Sequence, residues 1–182
     1  GKISVSPFGA NLLLEGPLMK LKEDGNGSVS FLLSGKASIL EQSSKFLYTY
    51  IDSAGLPFNF QDIYGKISFN SKNGSKVNVF GFSYNDAVSY RAVSNYKWNS
   101  WGIGTNFIVV PAGSNVLLEG FVNGSNYKIS LAEDDGSPRS SEIGGFTVGM
   151  NFLYYMGKNE LKYGIFLQGF KTQYEFTNSR GV

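Results

Sequence analysis

Between Gly144 and Phe170 the chain reads GGFTVGMNFLYYMGKNELKYGIFLQGF. Every second residue from Phe146 is large and apolar: Phe146, Val148, Met150, Phe152 and Tyr154. The residues between them, Gly145, Thr147, Gly149 and Asn151, are small or polar. A period of two marks a β-strand with two chemically different faces. Residues 96–110 repeat the pattern: Trp101, Ile103, Phe107 and Val109 share one face with Thr105, while Gly102, Gly104 and Asn106 share the other. In 160–167, Leu161, Tyr163, Ile165 and Leu167 alternate with Lys162, Gly164 and Phe166. In 28–34, Val29, Phe31 and Leu33 alternate with Ser28, Ser30, Leu32 and Ser34. Phe166 and Leu32 are the exceptions.

This alternation, cut by turn residues, predicts about eight strands: 10–20, 28–40, 62–71, 76–86, 96–110, 115–131, 142–155 and 160–176. Short connections (22–27, 71–75, 111–114 and 157–160) alternate with longer ones (41–61, 87–95 and 132–141). That is the loop pattern of an up-and-down meander of hairpins, and outer-membrane barrels sort tight turns and long loops onto opposite rims. Several segments also exceed the ~5–6 residues of an ordinary strand and reach the ~9–11 that cross a bilayer. Residues 41–61, rich in Phe46, Tyr48, Tyr50, Phe58 and Phe60, lack clean alternation. A short helix fits near 40–50, and Pro57 argues against a central strand there. Asn11–Gly16 and Asn115–Gly120 echo each other, but their flanks differ, so they read as two strands under the same demands.

Composition sharpens this picture. Charged residues make up 16% of the chain, aromatics 15%, and there are 23 glycines. A soluble barrel would turn its apolar face inward and show water a face of Gly, Ser and Asn, which is a weak strand surface. A membrane barrel would turn Phe146, Val148, Met150, Phe152, Trp101, Ile103, Phe107 and Ile165 to lipid. Gly145, Thr147, Gly149, Asn151, Gly102, Gly104 and Asn106 would then line the lumen. Tyr154, Tyr155 and Tyr163, around the turn at 157–160, would form an aromatic girdle at the headgroups. The same alternation also describes any half-buried antiparallel sheet, so a soluble sandwich or calyx stays open. The length is enough for one ordinary domain with a core of its own.

Candidate chemistry is sparse. Without histidine or cysteine there is no Ser-His-Asp triad, Cys-His pair, disulfide or His- or thiolate-bound zinc. No basic run suggests a nucleic-acid surface. Glu133, Asp134 and Asp135 read as a solvated loop rather than a cation site. Asn26-Gly27-Ser28, Asn73-Gly74-Ser75 and Asn123-Gly124-Ser125 match the glycosylation sequon. The first two read as hairpin turns; the third, inside a predicted strand, asks for a bulge or for two merged strands. Asp62, Asp86 and Glu119 are isolated carboxylates with Lys66, Lys128 or Arg91 as candidate partners. Trp98 and Trp101 read as interfacial anchors. The expectation is a protein that is not an enzyme and carries no cofactor.

Several stretches together resemble a known family. NLLLEGPLMK (11–20) leading into SFLLSGKASIL (30–40) resembles the barrel of TonB-dependent outer-membrane receptors of the Bacteroidota type. FQDIYGKISFN (60–70), KVNVFGFSYNDAV (76–88) and FLYYMGKNELKYGIFLQGF (152–170) resemble later hairpins of that barrel. Lys36 departs from the family, which often has Arg there. The resemblance implies a barrel of about 22 strands with a plugged lumen, of which 1–182 is one segment without plug or TonB box. It further implies uptake of a nutrient or metal complex across the bacterial outer membrane. The partners it implies are the remaining barrel and plug, membrane lipid, the TonB energy-coupling complex and, over the outer rim, a surface lipoprotein. No ligand residues carry over. The opening GKISVSPFG and the closing EFTNSRGV read as the interior of a longer polypeptide. The rival expectations are a complete small outer-membrane barrel with a structural or adhesion role, and a soluble β-barrel binding protein.

Overall fold

The computed structural model describes residues 1–20, 27–50, 55–90, 93–133 and 138–177. Among them nine strands form one antiparallel sheet in chain order. They are β1 (Lys2–Val5), β2 (Gly9–Met19), β3 (Gly27–Ser38), β4 (Phe58–Ser71), β5 (Lys76–Tyr90), β6 (Ser94–Val109), β7 (Val116–Glu133), β8 (Pro138–Met156) and β9 (Asn159–Phe176). The eight expected strands are all present, and the architecture is all-β and up-and-down. The ninth, β1, is four residues long, too short to show a period, and forms because β2 offers it a partner. The sheet is open: β1 pairs only with β2, and β9 only with β8.

Two of the tight turns follow from local chemistry. At 72–75 the Asn73 side chain accepts from the Ser75 amide at 3.0 Å, and Gly74 takes the left-handed conformation, with φ +89°. The last hairpin closes with only Gly157 and Lys158 between the paired Met156 and Asn159. The expected turn at 22–27 lies almost wholly outside the described residues, as do Asp134, Asp135 and Arg91.

Most of two of the three expected long loops, 87–95 and 132–141, is strand among the described residues. β5 and β6 run to Tyr90 and from Ser94, and β7 and β8 run to Glu133 and from Pro138. The third, which falls mostly within the connection 39–57, is not strand among the described residues before Phe58. This connection contains α1 (Leu40–Leu47), the helix expected there. Ser44 of α1 is fully buried, and its hydroxyl accepts from the Leu56 amide at 2.8 Å. The Ser43 hydroxyl donates to the Pro7 carbonyl, which ties α1 to the β1–β2 connection.

The register is regular almost throughout. The Asn123-Gly124 pair causes neither a bulge nor a break, because β7 pairs without a shift from Val116 to Ala132. The one shift in these ladders falls at Pro17–Met19 of β2, where proline removes a ladder donor.

Directly opposed residues share a face, so the register assigns every strand residue to one of two faces. Phe121 of β7 and Phe166 of β9 belong to the Gly145 face, and their ring centroids approach to 6.3 Å across the intervening β8. Glu119 and Lys162, on the same two strands and face, meet at 2.8 Å. One cleft on this face is lined by residues from β2 through β7, five strand spacings or ~24 Å apart in a flat sheet. The Gly145 face is therefore the concave side of the curl.

The expected core of its own is not found. Among the described residues no apolar side chain is buried, and large apolar side chains are exposed all along the chain, from Ile3 to Phe176. The sheet is well paired along its ladders but unsupported on both faces.

Candidate functional site

All eight residues expected to face lipid stand on one face, and all seven expected to line a lumen stand on the other. Phe146, Val148, Met150 and Phe152 of β8 share the convex face with Ile165, through the Met150–Ile165 pair. Trp101, Ile103 and Phe107 of β6 join them through Asn126, Gly124 and Gly120 of β7. Gly145, Thr147, Gly149 and Asn151 share the concave face with Gly102, Gly104 and Asn106.

Cross-strand rows show how polarity is distributed. On the convex face one row runs Ile67, Val79, Thr105, Val122, Val148, Leu167 from β4 to β9. Six residues nearer the loop-bearing rim, the row on the same face reads Gln61, Asn85, Asn99, Lys128, Glu142, Gln173. The apolar part is thus a band beside the rim of tight turns, with a polar margin above it. On β8 the band runs from Phe146 to Tyr154, about 26 Å along the strand at ~3.3 Å per residue. Strands β4 to β9 are 14 to 19 residues long, and the excess extends past the margin.

The concave face runs the other way. Near the tight turns it carries Ser68, Asn78, Asn106, Glu119 and Lys162, with Phe121 and Phe166 among them; Asn78 donates to Asn106 at 2.7 Å, and Glu119 pairs with Lys162. Near the loop-bearing rim it carries Phe60, Asp86, Trp98, Ile129, Ser141 and Tyr174 in one row. Trp98 stacks on Tyr96, with centroids 5.8 Å apart, and Phe82 stacks on Tyr84 at 4.8 Å. The two faces exchange polarity along the length of the strands.

The glycines of the concave face do not leave it bare. The Phe82 ring lies over Gly102, where a Cβ would stand 2.7 Å from Cε1, and Phe80 covers Gly104. On the convex face Phe146 covers Gly169 in the same way. Each of these three glycines seats a ring from the opposed position on the next strand, which fills the gap that glycine leaves in the pleat.

Three expectations change. Trp98 lines the concave cleft, so only Trp101 stands on the convex face, at the upper edge of the band. Tyr155 points to the concave side, while Tyr154 and Tyr163 stay on the convex face, where Tyr163 stacks on Phe152 at 5.2 Å. Glu119 pairs with Lys162, and Lys128 pairs with Glu142 at 3.6 Å on the other face, whereas Asp62 and Asp86 have no salt bridge among the described residues.

The cleft holding Trp98 has a volume of about 770 Å³ and is also lined by Lys36, Phe58, Phe60, Asp62, Asp86 and Tyr127. Partial desolvation, and then the charge of Asp62, push the Asp86 carboxyl above its ordinary value of 3.8, although the side chain still reaches solvent. Sequence reading picked out Asp62, Asp86 and Trp98 singly. Tyr127 and Phe60 join them only through the register.

No family model, curated protein or solved structure matches the chain. Among the described residues no helix is long and apolar enough to cross a membrane, which says nothing of crossing by strands.

Proposed function

We propose that this chain forms part of the wall of a transmembrane β-barrel in a bacterial outer membrane. The observation that carries the proposal is the convex apolar band, bounded by tight turns below and a polar row above. Lipid is the natural cover for such a band, since its length along β8 fits the ~9–11 residues that cross a bilayer. The tight-turn rim then faces the periplasm, and the extended strand ends rise above the outer surface. A soluble reading has to account for a sheet without a buried apolar side chain among the described residues. A complete small barrel has to account for β1 and β9 not pairing with each other, each leaving its outer ladder edge open to a further strand.

The finer reading is a TonB-dependent receptor that imports a nutrient or metal complex without catalysing a reaction. It rests on the resemblance of 11–40, 60–88 and 152–170 to that family. The polar lower half of the concave face suits a packed plug.

The sequence contains no cysteine, so single introduced cysteines can report the topology. In intact cells a membrane-impermeant maleimide should label Asn95→Cys. It should reach Asn73→Cys only after the outer membrane is permeabilised, and Val148→Cys should stay unlabelled in both states. Equal labelling of all three would overturn the barrel reading.

A further inference from the structure

A barrel wall needs neither carboxylates nor a ring-lined pocket above its apolar band, yet the cleft has both. Asp86 stands directly between Phe60 on β4 and Trp98 on β6, its opposed neighbours on either side. Asp62 stands between Lys36 and Tyr84 in the adjoining row. Neither carboxylate has a hydrogen-bond or salt-bridge partner among the described residues, although Lys36 is opposed to Asp62. Two carboxylates against one ammonium leave the lining of the cleft net negative.

This combination selects a ligand class. Aromatic rings attract cations through their faces, and a carboxylate among them adds a full counter-charge. A bare metal ion fits poorly. Calcium takes about 6–8 oxygen ligands, and no group of three or more His, Cys, Asp or Glu is placed to hold a metal among the described residues. A neutral polyhydroxylated ligand would use the rings but leave the negative charge uncompensated. The volume, about 770 Å³, lies within the range of small-molecule pockets.

We infer that this cleft takes the ammonium or guanidinium group of an organic ligand, with Asp86 and Asp62 as its counter-charges and Phe60 and Trp98 as its walls. The inference deepens the receptor reading and rests on it for the ligand's arrival from outside.

The test is calorimetric titration of the purified protein, as the cell makes it, with choline and with arginine amide. The control is 3,3-dimethylbutan-1-ol, the neutral isostere of choline. At least one cation should bind saturably and the neutral isostere should not. Asp86→Asn and Trp98→Leu should each weaken cation binding about tenfold or more, while Lys36→Gln should strengthen it. Circular dichroism and heat-modifiable gel migration confirm that the variants are folded, and Asp62→Asn replaces any that is not. Absence of binding by both cations, equal binding of the isostere, or affinity unchanged in Asp86→Asn would overturn the inference. The topology experiment reads the barrel separately. Cation binding by a protein that is not in the membrane would keep the cleft and discard the barrel. A membrane protein that binds neither cation would do the reverse.

Discussion

The ring of Phe121 lies across Gly149. The two residues are directly opposed on β7 and β8, and a Cβ at Gly149 would stand 2.6 Å from both Cε1 and Cζ of the ring. Gly149 is buried, with the Phe121 ring as its nearest cover. Gly149→Ala should push the ring off its seat and towards Phe166, destabilising the protein by about 1–3 kcal/mol as overpacking does. Gly35→Ala is the control, because nothing lies within 4 Å of a Cβ there. It should be neutral or slightly stabilising, by reducing unfolded-chain entropy. Denaturant unfolding in detergent or vesicles measures both, and equal effects would remove the ring-on-glycine account.

Val148 is opposed to Val122 and Leu167, in the middle of the convex band. Val148→Arg should cost about 2–4 kcal/mol in vesicles, the penalty for a cation at mid-bilayer. Thr147→Arg, one residue away on the concave face, should cost much less. A reversed order in refolding titrations would mean that the faces are assigned the wrong way round.

Glu142 lies in the polar convex row, outside the apolar band. A hydrogen bond from Asn126, and then the charges of Lys128 and Lys171, hold its carboxyl below the ordinary 4.5 against partial desolvation. A carboxylate held down in the folded state adds stability above its unfolded value and loses it as pH falls through the folded value. Glu142→Gln should therefore be less stable than the parent at pH 7. The gap should close as pH drops below about 4.5. Unfolding midpoints across that range read the effect, and a gap that stayed constant would show that charge is not its source.

Ser44 is buried in the 39–57 connection, and its hydroxyl is the acceptor for the Leu56 amide. Ser44→Ala leaves that donor without its partner, at a local cost of about 1–3 kcal/mol. The loss should appear as faster proteolysis after Lys45 while the sheet's unfolding midpoint holds. Unchanged cleavage would mean that the tie from Ser43 to Pro7 fixes the connection by itself.

The sequence by itself determined the strand class, the eight long strands and the membership of both faces. Each of these depends on a period of two, which is local and survives in Phe146–Tyr154 whatever the partner strand. It also placed the helix, where alternation fails between Glu41 and Pro57. The strand ends were hidden. Beyond Tyr84 and before Trp98 the convex positions include Asn85, Ser89, Asn95 and Lys97 and the concave ones include Val88, Tyr90 and Tyr96, so the alternation reverses and reads as loop. The pairing of Ser89 with Asn95 shows that it is still ladder. Only the tertiary structure decided which residues meet. Register turns the scattered glycines into seats for Phe80, Phe82 and Phe121, because an opposed position lies a strand away and not a fixed number of residues away. The curl of the sheet brings β2 and β7 to one cleft, and with it Asp86, Phe60, Trp98 and Tyr127. No spacing in the sequence encodes that approach, because it depends on the accumulated twist and curvature of all the strands between them.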